Sequence, residues 1–404
     1  MRARRGRLLA MVGPNTYDPF DPAIIRHPYP HYTWLRENAP CYYCAKRDIY
    51  VLSRYADVRA SLANFEVFSS TEGVGYERRP VPMMIAYDPP QHTRLRRIAA
   101  GRFTPRALSQ WADRIDQIAS EMVDRLVGTR TVNMVEELAG PLPVQVVAEM
   151  MDIPMERRAD FKRWSDKTVE ALGGAVDATP DERMAVERTI VEFAMWFADV
   201  IAERRPSADE RTDLISLLIR PSEEGESLGD AEIVSFCVLL LVAGNETTTN
   251  LISNTAYHLM REPSQWNRVV GDPSLINSLV EEGLRYDAPI QGFFRNTRAA
   301  IEVAGVTIPQ GAKVMLLYGS ANRDPEKYEA ADAFLADRNP IDHIAFGFGP
   351  HTCLGSHLAR MEARTVVKHL LKKVKRMELE GEPTRTNNPL LRGMEVLPMR
   401  VEPH

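Results

Sequence analysis

The residues best able to do chemistry lie near the C-terminal end, in Phe346-Gly347-Phe348-Gly349-Pro350-His351-Thr352-Cys353-Leu354-Gly355. The two early glycines open backbone conformations closed to other residues, so a tight loop can aim its amides at a sulfur. Cys353 stands just before a helical pattern, where the positive helix end favours thiolate over thiol. A thiolate so placed suits an iron ligand. An isolated cysteine in a turn is more often packing than ligand, but ten ordered positions weigh against that reading here.

Three further clusters offer complementary chemistry. His92 and Arg96, within His92-Thr93-Arg94-Leu95-Arg96, share one helix face at i and i+4 and can clamp an anionic group. The run Gly244-Asn245-Glu246-Thr247-Thr248-Thr249-Asn250 plants polar groups directly after Phe236 to Ala243, an apolar stretch that reads as a buried central helix capped by Asp230. Polar residues in so apolar an element mark function more often than a solvated patch, and Glu246 and Thr247 are suited to proton delivery. In Glu282-Gly283-Leu284-Arg285 a carboxylate and a guanidinium lie one helical turn apart, although surface pairs at this spacing are frequent and worth little. Cys41-Tyr42-Tyr43-Cys44 has no second cysteine pair beside it, so a metal or redox reading is weak.

These groups need a large scaffold. Short β-rich pieces such as Ile49 to Leu52 alternate with helical patterns such as Tyr55 to Ala63 in the first hundred residues. From Ser109 to about Met260 apolar residues recur at three- and four-residue spacing, which predicts helices broken near Gly173-Gly174 and between Pro221 and Gly229. Strands follow at Ile301 to Val303 and Val314 to Leu317, then a last helix from near Gly355. The pattern is mainly α with small β-sheets, and no repeat or linker divides residues 1–404, so one domain is expected, with residues 1–15 a loosely ordered lead-in.

Apolar residues make up 44% of the 404 and charged residues 26%, enough for a sizeable core. A formal net charge of -5 disfavours non-specific nucleic-acid binding. Four cysteines are too few for a disulfide framework and point to a reducing cytoplasm. The apolar stretch Leu8 to Val12 is far shorter than the ~20 residues that span a bilayer, so no membrane anchor is expected.

The decapeptide resembles the proximal haem-binding loop of the cytochrome P-450 family, matching Phe-Gly-x-Gly-x-His-x-Cys-x-Gly at every fixed position. The other clusters follow in the family's order from about Pro28 to the end. The resemblance implies a triangular helical prism around a buried haem b with Cys353 as its axial thiolate, the arrangement that favours O–O bond cleavage. By the same resemblance His92, Arg96, Arg295 and His351 bind the haem propionates, with Arg298 a competitor for the place of Arg295. Ala243 and Gly244 leave room at an oxygen-binding kink served by Glu246 and Thr247. Glu282, Arg285 and Arg338 form a structural network behind the haem.

The implied activity is insertion of one atom of O2 into a small hydrophobic substrate, with electrons from a separate ferredoxin and its reductase. A peroxide-driven peroxygenase and a non-catalytic haem-thiolate sensor or carrier are the alternatives. The substrate pocket is expected from Val74, Tyr76, Met83, Met84 and Ile85 in the first loop, Leu240 and Ala243 on the central helix, and Ile290, Phe293 and Phe294 after Arg285. Met394 closes it. Arg78 and Arg79 are candidates for anchoring a substrate carboxylate. Arg97, Arg102, Arg106, Arg360, Arg364 and Lys368 form a local basic patch for an acidic ferredoxin.

Overall fold

A computed structural model describes residues 17–404 apart from 79, 129–130, 173–178 and 223. The expected loose lead-in and Arg79 therefore lie outside the described residues. The principal helices are α1 Tyr29–Asn38, α2 Tyr55–Ala63, α3 Gln91–Ala100, α4 Ala112–Val127, α5 Pro141–Met150, α6 Arg158–Leu172, α7 Pro180–Arg204, α8 Asp230–Arg261, α9 Ile276–Tyr286 and α10 Ser356–Lys373. Their amphipathy explains their packing: in α4 the residues Ile115, Ile118, Ala119, Met122, Val123 and Leu126 fall on one stripe and are all buried.

The central helix α8 is long and apolar enough to cross a membrane. Here it is packed by α5, α6, α7 and α10, as its all-round apolar character requires. Its cap differs from expectation. Asp230 is already the first helical residue; Gly229 holds the cap position, and its N–H donates to Glu232 Oε2 at 3.0 Å. The carboxylate three residues inside the helix meets the exposed cap amide without help from Asp230.

Five strands form the larger sheet: β1 Cys41–Cys44, β2 Ile49–Leu52, β3 Phe68–Ser69, β4 Phe293–Thr297 and β5 Lys313–Leu316, in the order β1-β2-β5-β4-β3. Only β2 and β5 run parallel. In β4, Arg295 sits opposite Val314 and Asn296 opposite Lys313, so Arg295 and Phe294 project to opposite faces. Cys41 and Cys44 likewise take opposite faces of β1, and among the described residues no cluster of potential metal ligands appears. A main helical core is flanked by two satellites on either side of this sheet.

Candidate active site

The loop before α10 folds as its glycines allow. Gly347 and Gly349 both have φ of 72°, and a Cβ on Gly349 would stand 2.8 Å from the carbonyl oxygen of Leu62. A short turn at Gly349–His351 follows, and the Cys353 amide donates to Phe346 O at 2.8 Å, closing the loop on itself. Cys353 alone of the four cysteines is exposed, yet burial pushes its thiol above its ordinary pKa. The two facts agree if the sulfur opens onto interior space rather than bulk water. The Gly355 amide and the Arg96 and Arg360 charges oppose the burial effect and favour thiolate.

Beside this sulfur four basic side chains converge from three elements: His92 and Arg96 on α3, Arg295 on β4 and His351 in the loop. The rings of His92 and His351 lie 4.2 Å apart. Burial, then the charges of Arg295, His92 and Arg96, drives His351 down to about 2, and burial with Arg96 drives His92 to about 4. The nearby acid, Asp88, comes only to 4.0 Å from His351 and is taken by Ser69 Oγ at 2.6 Å, the Ser70 amide at 3.0 Å and Arg298 at 2.8 Å. Two guanidiniums, Arg96 and Arg295, flanked by two imidazoles kept neutral and with the nearby carboxylate engaged elsewhere, fit a ligand bearing carboxylates, as haem does. Of the two rival arginines, Arg298 is an exposed partner of Asp88 whereas Arg295 is buried beside Tyr318. Sequence reasoning missed Asp88; its carbonyl also accepts the His92 amide at the start of α3.

The central helix α8 continues through residues 243–250 without a break. Ala243 keeps exposed surface in its middle, and Thr247 Oγ1 donates to the Ala243 carbonyl at 2.7 Å. Gly244 does not make room in this interior. A Cβ there would meet Val147 Cγ2 of α5 at 3.3 Å, so the glycine serves helix packing. Asn245 turns away as well and donates to Ser165 Oγ at 2.9 Å, while Glu246 and Thr247 remain half-buried.

The Glu282 network is more complete than its spacing promised. Arg285 and Glu282 are both fully buried. Arg285 Nε and Nη2 donate to the two Glu282 oxygens at 2.7 and 2.8 Å, and the same guanidinium reaches the carbonyls of Asn322, Ala331 and Ala333. Arg338 Nε adds a contact to Glu282 Oε1 at 3.2 Å.

Residues 37–399 match the Cytochrome P450 family. The chain belongs to that family. It is 38% identical over 387 residues to the beta-dihydromenaquinone-9 omega-hydroxylase of Mycobacterium tuberculosis, covering 96% of this chain and 78% of that protein. Cytochrome P450 CYP109Q5 from Chondromyces apiculatus superposes with a TM-score of 0.87 at 35% identity over 97% of this chain and 100% of that one. CYP109E1 from Bacillus megaterium, solved in complex with testosterone, gives 0.83 at 34% identity over 93% and 99%. The fold is thus that of a cytochrome P450, and the protein is a P450 monooxygenase of a family that carries haem on a cysteine thiolate.

Within this P450 the expected pocket residues divide. Ala243 is exposed, and Leu240, Met83, Met84, Ile85, Ile290 and Phe293 retain surface. Tyr76 and Phe294 pack with Phe20 in the satellite core on the sheet face away from Arg295, and Tyr76 Oη donates to Arg47 O. Val74 and Met394 are buried. Periodic alternation along β4 was the signal that could have excluded Phe294. Arg78 is engaged by Glu72 and the Gly311 carbonyl rather than turned toward a pocket.

The basic patch is largely neutralised by the chain's own acids. Arg97 pairs with Glu224 and Glu226, Lys368 with Asp116, and Arg360 and Arg364 both with Glu281. Arg102 is spent on the Leu217 carbonyl. Counting only basic residues overstated the field, because their partners come from distant segments.

Proposed function

We propose that Cys353 is the thiolate ligand of haem b in a monooxygenase acting on a small apolar substrate with electrons from a ferredoxin-type donor. The observation that carries the reading is the poorly compensated basic cluster of His92, Arg96, Arg295 and His351 beside the one cysteine with exposed surface. When bound, the haem supplies the redox-active iron at which dioxygen is activated.

The chain's residues then have distinct tasks. The Gly355 amide and the Arg96 and Arg360 charges favour the Cys353 thiolate against the burial that raises its pKa, and binding to iron would complete its ionisation. Arg295, Arg96, His92 and His351 would hold the carboxylates of the haem. Thr247 Oγ1 carries a proton now directed to the Ala243 carbonyl; rotation about its χ1 hands that proton to an acceptor in the interior, and the neighbouring Glu246 carboxyl can replenish it. Leu240, Met83, Met84, Ile85 and Phe293 keep water from the reacting region. One relative named as the hydroxylase of a menaquinone derivative and another solved in complex with testosterone support an apolar substrate, and a reducing cytoplasm suits the free cysteines.

A carbon monoxide difference spectrum tests the ligand: a thiolate-type band is expected, lost in Cys353→His. A wild-type spectrum without that band would overturn the assignment. Product formation with ferredoxin, reductase and NADH, compared with peroxide alone, tests the electron route; turnover with peroxide only would make the protein a peroxygenase.

A further inference from the structure

Next to the Glu282 network lies a second carboxylate clamp that the mechanism above does not use. Glu281 is buried, and its two oxygens receive four donors. Oε1 accepts from Arg360 Nε at 2.8 Å and Arg364 Nη2 at 2.9 Å; Oε2 accepts from Arg360 Nη2 at 2.7 Å and His343 Nε2 at 3.1 Å. Burial resists ionisation of this carboxyl, but the His343 and Arg360 hydrogen bonds and charges prevail and hold it at about 2. The donors come from α10 and from the segment that leads into the Cys353 loop, while Glu281 itself rides on α9.

Both clamped groups press on Phe346, the first residue of that loop. The Arg360 guanidinium lies 4.5 Å over the Phe346 ring, and the His343 ring lies 5.8 Å from it. Phe346 in turn accepts the Cys353 amide through its carbonyl. His343 Nδ1 accepts the Ala345 amide at 3.2 Å while its Nε2 meets Glu281 Oε2, so one ring spans the loop backbone and the clamp. The clamp sets two guanidiniums against one carboxylate. The Arg360 charge also reaches the sulfur, where it favours thiolate.

We propose that Glu281 is a positioning residue for the proximal loop, holding Arg360 and His343 against Phe346 so that a guanidinium charge of fixed geometry stands behind the Cys353 thiolate. The proposal rests on Cys353 being the haem ligand. It also gives Arg360 a different task from the docking of an electron donor. Glu281 sets how much of its neighbours' positive charge the thiolate feels, and so how strongly the sulfur donates to whatever it ligates.

The experiment compares holoenzyme variants by haem midpoint potential, carbon monoxide band position and thermal midpoint. Glu281→Gln leaves both guanidiniums without an opposing charge and shifts the potential positive. Arg360→Gln removes the cation behind the thiolate and shifts it negative, and Arg360→Lys brings it back toward wild type. Opposite signs from two members of one clamp are the signature, since simple loosening moves both the same way or moves only the thermal midpoint. Wild-type potentials in both glutamine variants overturn the proposal. If Glu281→Gln fails to retain haem, Arg360→Gln still decides: an unchanged potential there refutes it. Loss of the thiolate-type band in the wild-type protein would instead strike the ligand assignment beneath.

Discussion

Replacing Arg285 by alanine tests how much of this fold hangs on one guanidinium. The side chain is fully buried and makes five hydrogen bonds, two to Glu282 and three to the carbonyls of Asn322, Ala331 and Ala333. Truncation strands a buried carboxylate, which costs about 3–5 kcal/mol. The three carbonyls lose partners at about 1–3 kcal/mol each where water does not replace them. Arg338 and the Leu335 amide, at 3.2 and 2.9 Å from Glu282 Oε1, recover part of the first cost. The net loss is expected at about 5 kcal/mol or more, a large fraction of the roughly 5–15 kcal/mol that stabilises a folded domain. Urea unfolding followed by circular dichroism measures it. Arg285→Lys keeps the charge but not the planar fork and should fall between. Glu282→Gln combined with Arg285→Ala should lose less than the sum of the single changes, because the stranded charge is gone. A cost below about 1 kcal/mol for Arg285→Ala, the value of an exposed pair, would refute the reasoning.

Arg295→Leu should weaken binding of haem to the apoprotein at least about tenfold, or about 1.4 kcal/mol, while Arg298→Leu changes it much less; titration with hemin that ranks them the other way sinks the assignment. Thr247→Val keeps the shape and removes the hydroxyl, so product formed per NADH consumed should fall by about tenfold or more; unchanged coupling would remove Thr247 from proton delivery. Burial pushes Lys313 down to about 8 from its ordinary 10.5. Below pH 8 the lysine is charged in both folded and unfolded chains and the folded state bears the burial penalty; that penalty disappears as pH rises from 8 through 10.5, so stability rises there by up to about 3 kcal/mol. Lys313→Met should raise the thermal midpoint at pH 7 and abolish this rise, and an unchanged profile would show the ammonium is solvated.

What the sequence disclosed was local or periodic. The loop of Cys353 was legible because glycine identity, cysteine and helix start all act within ten residues, and α8 because an apolar run constrains its surroundings wherever it lies. The strand Ile49–Leu52 and helix Tyr55–Ala63 fell where β-branching and three-residue spacing placed them. Facing was the harder property. Gly244 looked like open space and proved to be a contact with Val147; Phe294 looked like pocket lining and belongs to the far side of β4. Each error turned on what a neighbouring element brings from far along the chain. The pairing of Arg360 and Arg364 was hidden for the same reason, since Glu281 lies some eighty residues before them.

Glu281 and Glu282 show why adjacency in sequence hides a division of labour. Successive residues on a helix project about 100° apart, so one turn of α9 presents two carboxylates to different neighbours. Glu282 faces the 331–338 segment and is met by Arg285 and Arg338; Glu281 faces α10 and the approach to the Cys353 loop and is met by Arg360, Arg364 and His343. Both carboxyls are buried and paired with guanidiniums, where an unpaired charge would be costly. Neither clamp can therefore shift without the other, because both pull on the same rigid turn. The geometry of the sulfur is fixed through α9 as well as through the loop's own glycines, which ties the position of Cys353 to two buried carboxylate clamps.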